Sequence, residues 1–379
     1  MFRSIKLFLF VAVSLITLGG CHKANPNSQD LTNSELQYAE LLSISEVAPD
    51  ISLCTIRDPW RTDLVVMQYL LVPSDYRNWD EQTEQQLRNQ YGNSIVLRTP
   101  LQRMAITASC HAWLLSQWNA LDRVAVLCDT AYIQAKEVRQ WMRSLRADST
   151  ATVFDGGSSA APNREVLLQA HCDALWISPF ENAGIGNVSQ LPIPVVYCAD
   201  YMENTPLGRA EWMRFYGRLA GCTSLADSMF FQIARRYNGL ATDVENGPRL
   251  LAELPYGSTW YVPGGCSTSA HLYADAGYRY LWASDTHAGS LSLSKEAVIA
   301  QAQQSDCWFI KYNDPDRDWT RQTLLQQDPL YDHIHALTAG QVWACNTAHS
   351  DFFDVTPFRP DSLLGSIKAQ DGCFFRLLP

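Results

Sequence analysis

Short apolar strand patterns alternate with helix patterns along most of this chain, and that alternation limits its fold more than any other feature. It begins with a strand pattern at 104–107 and a helix pattern at 111–118, and it continues to a strand pattern at 195–198. It resumes near residue 260 and runs to a last helix pattern near 361–367. Strands that alternate with helices are typical of α/β domains with parallel sheets. The sequence therefore predicts an α/β protein with two Rossmann-like lobes.

A long helical stretch separates the two alternating regions. Thr205 and Pro206 form a helix start signal, an N-cap followed by a first-turn proline. Ser224 starts a further helix pattern, in which apolar residues recur every three or four positions toward Val244. At a rise of about 1.5 Å per residue, roughly 20 residues span about 30 Å, the width of a small domain. We therefore predict one long bridging helix, at 223–246, between the two lobes.

The length and charge of the chain exclude several classes of protein. Its 379 residues are too many for one ordinary domain, and its hydrophobic fraction of 47% can fill a sizeable core. The 29 basic and 39 acidic side chains give a net charge of −10. A protein that binds nucleic acid needs a basic face to neutralise phosphates, so we expect no nucleic-acid partner.

The N-terminus has the pattern of an export signal. Arg3 and Lys6 precede an apolar run at 7–18, which is shorter than the ~20 residues that a membrane-spanning helix needs. The run ends in Leu-Gly-Gly-Cys, which resembles the bacterial lipobox, where the cysteine is lipidated and becomes the mature N-terminus. Cys21 is therefore the expected lipidation site, and the alternative is a plain signal peptide with an incidental cysteine. A multiply acylated cysteine would anchor the chain stably to a membrane.

These patterns divide the chain into five parts. They are a signal peptide at 1–21, a tether and N-terminal lead-in at 22–50, an N-terminal α/β lobe at 51–222, the bridging helix at 223–246 and a C-terminal α/β lobe at 247–379.

The cysteines are unusually many for a chain without a metal-binding pattern. Ten of the 11 remain when Cys21 is set aside, and no two of them form a C-x-x-C motif. Several lie inside apolar runs, where a cysteine behaves as a small buried hydrophobic residue. We expect most of them to fill the core, with room for one or two disulfides in an exported protein.

The two lobes share an internal repeat. The segment 163–168 followed by 173–177 in the first lobe matches 294–299 followed by 306–310 in the second. Each copy has a helix-capping residue, a glutamate two positions later, an apolar helix, an aspartate and a buried strand. This pattern favours a fold that is built twice, although any strand–helix–strand unit could produce part of it.

These features together resemble the substrate-binding lipoproteins of ABC importers, in particular the class that binds ferric siderophores, haem and cobalamin. That class has the class III periplasmic-binding-protein fold. The resemblance covers residues from about Leu101 to the C-terminus, whereas 40–100 fit less well. Three phrases are similar to a branch of the family that is common in the Bacteroidetes: Thr205-Pro-Leu-Gly-Arg-Ala-Glu-Trp, Trp260-Tyr-Val-Pro-Gly-Gly and Ser290-Leu-Ser-Leu-Ser-Lys-Glu-Ala-Val.

The resemblance implies a function and a location. A ferric siderophore, or failing that haem or cobalamin, would bind between the lobes and be delivered to a permease and its ATPase. The resemblance implies a monomer with no intrinsic cofactor and no directly bound metal. It would lie on the periplasmic side of the cell envelope, lipid-anchored through Cys21. Glu165 and Glu296 match the positions that dock on permease arginines in cobalamin-binding relatives, although either could simply stabilise its helix through the dipole.

The cleft residues are predicted from loops that follow strands, because ligands of α/β lobes gather beyond the carboxyl ends of strands. These loops carry aromatics, hydroxyl groups and histidines, which suit a large planar or chelated ligand. The histidines could ligate haem iron together with the tyrosine, or each could be an ordinary polar loop residue. The candidates are His111, Tyr132, Ser267, Thr268, His287, His349 and Phe352.

Two other classes of protein compete with an importer component. Ser109, Cys110 and His111 place three reactive residue types together, but adjacent side chains do not converge as a nucleophile and base must. The chain has no G-x-S-x-G, H-E-x-x-H or P-loop motif, so we predict no catalytic residues and expect a hydrolase least. A lipid-anchored scavenger that works without a permease is the other alternative.

Overall fold

A computed structural model describes the chain from Ser34 onward, except for a few short segments. The described ranges are 34–77, 79–92, 94–147, 153–179, 188–242 and 245–379. Cys21 and the predicted signal peptide lie outside them. Within these ranges, no helix combines the length and apolar character that crossing a membrane requires.

A four-stranded sheet comes first in the chain. Its strands are β1 (Leu42–Ala48), β2 (Ile51–Asp58), β3 (Arg61–Pro73) and β4 (Ile95–Thr99), with helix α1 (Glu81–Tyr91) between the last two. The strands pair in the order β1-β2-β3-β4, antiparallel except for the parallel pair β3–β4. The predicted lead-in at 22–50 therefore contains a strand, β1, that its sequence pattern does not indicate.

This sheet shares a hydrophobic core with the N-terminal lobe, and one buried tyrosine also bonds to the lobe's sheet. The Tyr69 hydroxyl on β3 donates a hydrogen bond to the Val195 carbonyl at 2.8 Å and accepts one from the Tyr197 amide at 2.9 Å. Tyr69 is fully buried, so its hydroxyl needs both partners. The first sheet is thus a separate layer against the lobe and does not extend the lobe's own sheet.

The N-terminal lobe contains a five-stranded parallel sheet. Its strands are β5 (Met104–Ile106), β6 (Val124–Leu127), β7 (Phe154–Asp155), β8 (Ala174–Ile177) and β9 (Val195–Tyr197), and its helices are α2 (Ser109–Gln117), α3 (Lys136–Ala147) and α4 (Arg164–Gln169). The strand order is β7-β6-β5-β8-β9. Most residues of these strands are buried, as expected of a parallel sheet that is covered on both faces.

Three helices lead from the first lobe to the second. They are α5 (Pro206–Glu211), α6 (Met213–Ala220) and α7 (Thr223–Leu240). The first two lie at the start of the predicted helical stretch and are separated at Trp212. The third is the bridging helix, and its 18 residues correspond to about 27 Å. It ends at Leu240, before the predicted boundary at residue 246.

The C-terminal lobe contains two sheets. Its strands are β10 (Arg249–Ala252), β11 (Pro255–Tyr256), β12 (Thr259–Pro263), β13 (Arg279–Tyr280), β14 (Ser290–Ser294), β15 (Cys307–Tyr312), β16 (Val342–Asn346) and β17 (Arg376–Leu377). The main sheet has the order β13-β10-β15-β16-β17 and is parallel except for β17. The strands β11-β12-β14 form a smaller antiparallel sheet.

Six helices complete this lobe, and short 3-10 turns occur in both lobes. The helices are α8 (Thr268–Asp275), α9 (Lys295–Ala302), α10 (Arg321–Gln327), α11 (His335–Thr338), α12 (Phe352–Val355) and α13 (Pro360–Ala369). The 3-10 turns are Leu121–Arg123, Thr130–Tyr132, Asp200–Met202 and Pro329–His333. The last helix, α13, packs against the bridging helix α7.

The internal repeat of the sequence appears in both lobes as a capped helix. Asn163 caps α4, where its side-chain oxygen accepts hydrogen bonds from the amides of Glu165 and Val166. Ser294 caps α9 in the same way, by accepting a hydrogen bond from the amide of Ala297. Each cap satisfies N–H groups that the first turn of a helix leaves unpaired.

The two aspartates of the repeat also have equivalent structural roles. The Asp173 carboxylate precedes β8 and accepts hydrogen bonds from the amides of Gln102 and Arg103, at 2.6 and 2.9 Å, just before β5. The Asp306 carboxylate precedes β15 and accepts one from the amide of Arg249, at 2.7 Å, at the start of β10. In both lobes, therefore, an aspartate holds the beginning of the neighbouring parallel strand.

All ten described cysteines are free thiols, so neither of the two disulfides allowed by the sequence is present among them. Seven are buried, two are partly buried and Cys373 is exposed. Burial raises the pKa of Cys54, Cys110 and Cys128 to about 12. These thiols are core residues of low reactivity, because the thiolate is the reactive form.

A thiol titration tests this assignment. In the Cys21→Ser variant under native conditions, we expect Cys373 to react first with an aromatic disulfide reagent, because it alone among the described cysteines is exposed. Ten thiols should react after denaturation without a reductant. A smaller number in the denatured protein would reveal a disulfide and contradict the assignment.

Candidate functional site

A cavity of about 610 Å³ lies between the two lobes. The N-terminal side contributes Tyr201, Met202, Pro206 and Arg209, and the remaining wall comes from the C-terminal lobe. Cavities of about 300–1,000 Å³ with mostly apolar walls and a few polar groups are typical of small-molecule sites. Six aromatic residues contribute to the apolar part of the wall: Tyr201, Tyr261, Tyr273, Phe352, Phe353 and Phe375.

Two cationic side chains, those of Arg209 and Lys311, also line the cavity. Arg209 comes from α5, and its Nε donates a hydrogen bond to the Asp200 carboxylate at 3.2 Å. Lys311 comes from β15 and forms an ion pair with Glu253, which follows the neighbouring strand β10. The Lys311 ammonium also lies 5.5 Å from the ring centre of Phe352, a cation–π distance. Among the described residues that line the cavity, Glu253 is the one acid.

The charge of Lys311 is maintained inside the protein. Burial lowers the pKa of Lys311, but the adjacent Glu253 carboxylate outweighs burial and raises that pKa above its usual value. Glu253 adopts a left-handed backbone conformation with φ of 68°. That conformation is uncommon for a residue other than glycine and is often found at functional sites. The Trp308 indole stabilises it by donating a hydrogen bond to the Glu253 carbonyl at 2.8 Å.

A buried polar cluster supports Arg209 from behind. Asp200 is only 2% exposed, and its second carboxylate oxygen accepts hydrogen bonds from His111 Nε2 at 3.2 Å and the Tyr216 hydroxyl at 2.8 Å. Burial raises the pKa of Asp200, but the interactions with His111, Arg209 and Tyr216 prevail and hold it below its usual value. Asp200 is therefore an ionised partner for Arg209 at neutral pH.

A short helix of the C-terminal lobe reaches the N-terminal lobe beside the cavity. Asp354 on α12 is buried, and its carboxylate accepts hydrogen bonds from the amides of Gln134 and Ala135, both at 2.7 Å. Because Gln134 and Ala135 belong to the other lobe, these bonds hold the lobes together along one side of the cavity. Lys136 and Asp351, which are close in sequence to these residues, help to line a second cavity of about 490 Å³.

The prediction that His111 lines the cleft is wrong. His111 is 1% exposed within the N-terminal lobe, where its ring centre lies 4.7 Å from that of Tyr216 and 5.7 Å from that of Trp176. It faces inward because α2 packs that side on the core and because Asp200 supplies a buried acceptor. Its role is to hold Asp200.

Three other predicted residues do lie in the cavity wall: Ser267, Thr268 and Phe352. Ser267 caps α8, and the Thr268 hydroxyl donates a hydrogen bond across the lobes to the Glu203 carbonyl at 2.6 Å. Contact of these three residues with a ligand remains a prediction.

The remaining candidates are separated from one another. Tyr132 is 73% exposed in a 3-10 turn, and His287 is an exposed residue that lies 3.0 Å from the Asp285 carboxylate. His349 lines the second cavity. The three histidines, at 111, 287 and 349, therefore do not share one wall. The described ranges also contain no cluster of three or more metal-ligating side chains, so joint ligation of haem iron by these residues is not supported.

Sequence reasoning missed the charged residues of the cavity. Arg209 belongs to one of the family-like phrases, but nothing in that phrase shows that its side chain reaches a cavity. Glu253 follows β10 and Lys311 lies near the carboxyl end of β15, positions that could have suggested a site. Their pairing became visible only when the sheet order placed β10 beside β15.

The two glutamates of the repeat are exposed at equivalent places. Glu165 is the second residue of α4 and Glu296 the second residue of α9. Neither forms an ion pair within the described ranges. Their carboxylates are thus available to cations of a partner, in addition to their favourable position at a helix N-terminus.

The two lobes, the bridging helix and the cavity between the lobes define a two-lobed solute-binding protein. Residues 130–348 match the periplasmic binding protein family, and the chain belongs to that family. An uncharacterized lipoprotein of Methanocaldococcus jannaschii is 22% identical over 298 residues, which is 76% of this chain and 69% of that protein.

Solved structures of periplasmic binding proteins have the same fold. A haem-binding protein from Pseudomonas aeruginosa superimposes with a TM-score of 0.54 at 16% identity, over 71% of this chain and 92% of that one. An Fe³⁺-hydroxamate transport protein from Saccharomonospora viridis gives 0.52 at 18% identity, over 72% and 94%. A vitamin B12-binding protein from Vibrio cholerae gives 0.51 at 13% identity, over 71% and 96%. The fold is therefore the predicted class III fold.

Proposed function

We propose that this protein binds an iron chelate or a related metal macrocycle between its lobes and delivers it to an ABC permease and its ATPase. A ferric siderophore is the expected ligand, ahead of haem and cobalamin. The observation that carries this proposal is the cavity of about 610 Å³ between the lobes, with its aromatic wall and its two cations, Arg209 and Lys311. The family and the binders of haem, Fe³⁺-hydroxamate and vitamin B12 among the similar structures support it.

The composition of the wall suits a siderophore. The wall has no histidine to ligate haem iron, although it contains tyrosine and methionine, which also act as axial ligands of haem. A ferric siderophore brings all its own donors to the iron. Aromatic side chains such as Tyr261 can cover the faces of a chelate, while Arg209 and Lys311 neutralise its negative oxygens.

A binding titration tests the proposal. Quenching of the 12 tryptophans and the visible spectrum would be followed with four probes: a ferric tris-catecholate, a ferric tris-hydroxamate, haem and cyanocobalamin. We expect saturable one-to-one binding that is tightest for the negatively charged tris-catecholate. Binding of none of the four probes would refute the proposed function.

Arg209 gives a specific prediction about the charge of the ligand. We expect Arg209→Met to weaken binding of the ferric tris-catecholate about 10- to 100-fold, the loss typical of one charge-assisted hydrogen bond. Arg235 is an exposed arginine of the bridging helix outside the cavity wall. Arg235→Met therefore serves as the matched control and should bind like the wild-type protein. Equal affinities for the Arg209→Met variant and the control would contradict the prediction.

Residues outside the cavity carry the proposals for where the protein is located and how it delivers its ligand. We propose that the mature chain is anchored through lipidated Cys21 on the periplasmic side of the cell envelope and works as a monomer. We further propose that Glu165 and Glu296 dock on permease arginines. Their exposure and equivalent positions in the two lobes support this role. A scavenger that hands its ligand to another lipoprotein would bind the same ligand but would not need these two carboxylates.

A further inference from the structure

We propose that buried Asp200 is a positioning residue for the ligand, because it fixes the Arg209 guanidinium in the orientation that receives an anionic group of the chelate. This inference rests on the proposed function, since it requires a ligand in the cavity between the lobes.

The carboxylate of Asp200 is held from three helices. Its Oδ1 accepts hydrogen bonds from His111 on α2 and Tyr216 on α6, at 3.2 and 2.8 Å. Its Oδ2 accepts the bond from Arg209 on α5, at 3.2 Å. The first two donors are packed in place, since the Tyr216 ring stacks on Trp176 with ring centres 4.9 Å apart. Asp200 therefore presents Oδ2 to Arg209 in one fixed direction.

Arg209 is open to the cavity on its other side. Its side chain is 24% exposed and lines the cavity, whereas the Asp200 side chain is only 3% exposed. Of the three guanidinium nitrogens of Arg209, only Nε forms a hydrogen bond within the described part of the chain. A guanidinium fixed through Nε keeps its terminal edge available for two parallel hydrogen bonds to carboxylate or catecholate oxygens.

The placement of Asp200 differs from that of the other acid near a cavity cation. Glu253 pairs with Lys311 and itself lines the cavity, so its charge also faces an incoming anion. Asp200 lies behind Arg209 and is screened from the cavity by protein. It can orient the guanidinium without a direct contact that repels the ligand. Fixing a long side chain in advance also removes an ordering cost from binding.

The test compares two probes that differ in charge, the negatively charged ferric tris-catecholate and the uncharged ferric tris-hydroxamate. We expect Asp200→Asn to weaken binding of the tris-catecholate about tenfold and to change binding of the tris-hydroxamate little. In an Arg209→Met background, the same substitution should have almost no further effect on either probe, because no guanidinium remains to be positioned.

Two more variants separate positioning from loss of folding. Glu211→Gln alters another buried carboxylate of α5, one outside the cavity wall. It should lower the melting temperature while leaving the preference between the probes unchanged. Tyr216→Phe keeps the charge of Asp200 but removes one of its two Oδ1 partners. It should cause a loss of about two- to threefold for the tris-catecholate alone, and it remains informative if Asp200→Asn does not fold.

The outcomes distinguish this inference from the proposed function. If the wild-type protein binds neither probe, the proposed function fails and the inference fails with it. If the wild-type protein binds but Asp200→Asn and Tyr216→Phe weaken both probes equally, or Asp200→Asn acts fully without Arg209, the inference is wrong and the proposed function stands.

Discussion

Reversing the charge of both repeat glutamates, in a Glu165→Arg and Glu296→Arg double variant, should abolish uptake of the chelate by cells. We expect uptake to fall about 100-fold, to the level of cells without the protein, because like charges placed opposite each other at an interface cost several kcal/mol. Affinity of the purified variant for the chelate should not change, since neither residue lines the cavity. Cellular accumulation of a radioactive iron chelate, beside a binding titration, measures both quantities.

Two other first-turn glutamates provide the matched control. Glu81 on α1 and Glu137 on α3 are exposed and belong to the first turns of their helices, but they do not occupy equivalent positions in the two lobes. Charge reversal at both should leave uptake near the wild-type level. If the Glu165/Glu296 variant also imports normally, the glutamates serve only their helices, with a contribution of about 0.3–1 kcal/mol each. A loss of chelate affinity instead would place them in the binding site and contradict docking.

The second large effect concerns stability and an N-terminal strap, residues 37–41. The Glu211 carboxylate is fully buried and accepts hydrogen bonds from the amides of Gln37, Tyr38 and Ala39, at 2.7–3.0 Å. Glu203 accepts the next two amides of the strap, both at 2.9 Å. Side chains of the first lobe therefore satisfy five consecutive backbone N–H groups.

Glu211→Ala should lower the free energy of unfolding by about 3–5 kcal/mol. The substitution leaves three strap amides without their acceptor and takes one ionic partner from the buried Arg214, which keeps Asp227 and the Glu35 carbonyl. Removing one partner of a buried charged network is typically this costly. Urea unfolding followed by circular dichroism measures the change.

Glu40→Ala is the control for this stability measurement. Glu40 belongs to the strap but is exposed, and its side chain accepts a hydrogen bond from Asn204 at the surface. Its removal should change the unfolding free energy by less than about 0.5 kcal/mol. A Glu211→Ala variant that is as stable as this control would show that water replaces the lost acceptor and that the strap does not depend on Glu211.

The architecture was largely predictable because it depends on patterns that recur along the chain. The alternation of strands and helices predicted the two lobes, and the capping residues 163 and 294 predicted the start of equivalent helices. The four-stranded sheet at 42–99 was not identified as a separate layer. Its packing on the lobe uses a shared hydrophobic core and the buried Tyr69 hydroxyl, contacts between distant segments that no local sequence pattern indicates.

The candidate site was less predictable because it depends on contacts between distant segments. His111 looked like a loop histidine, and only the position of Asp200, 89 residues further along the chain, shows why it is buried. Glu253 and Lys311 are 58 residues apart and meet only because their strands pair. Two of the predicted loops, those with Ser267 and Phe352, reach the cavity wall, whereas His111 and Tyr132 do not line it. The direction of each side chain could not be predicted from the sequence.

The position of the iron in a crystal of the complex tests the central claim most directly. Crystals of the protein with the ferric tris-catecholate, measured at the iron absorption edge, would locate the metal by anomalous scattering. We predict one iron peak inside the cavity lined by Arg209, Lys311 and Tyr261. A peak in the second cavity beside His349, or only at the outer surface of a lobe, would contradict it.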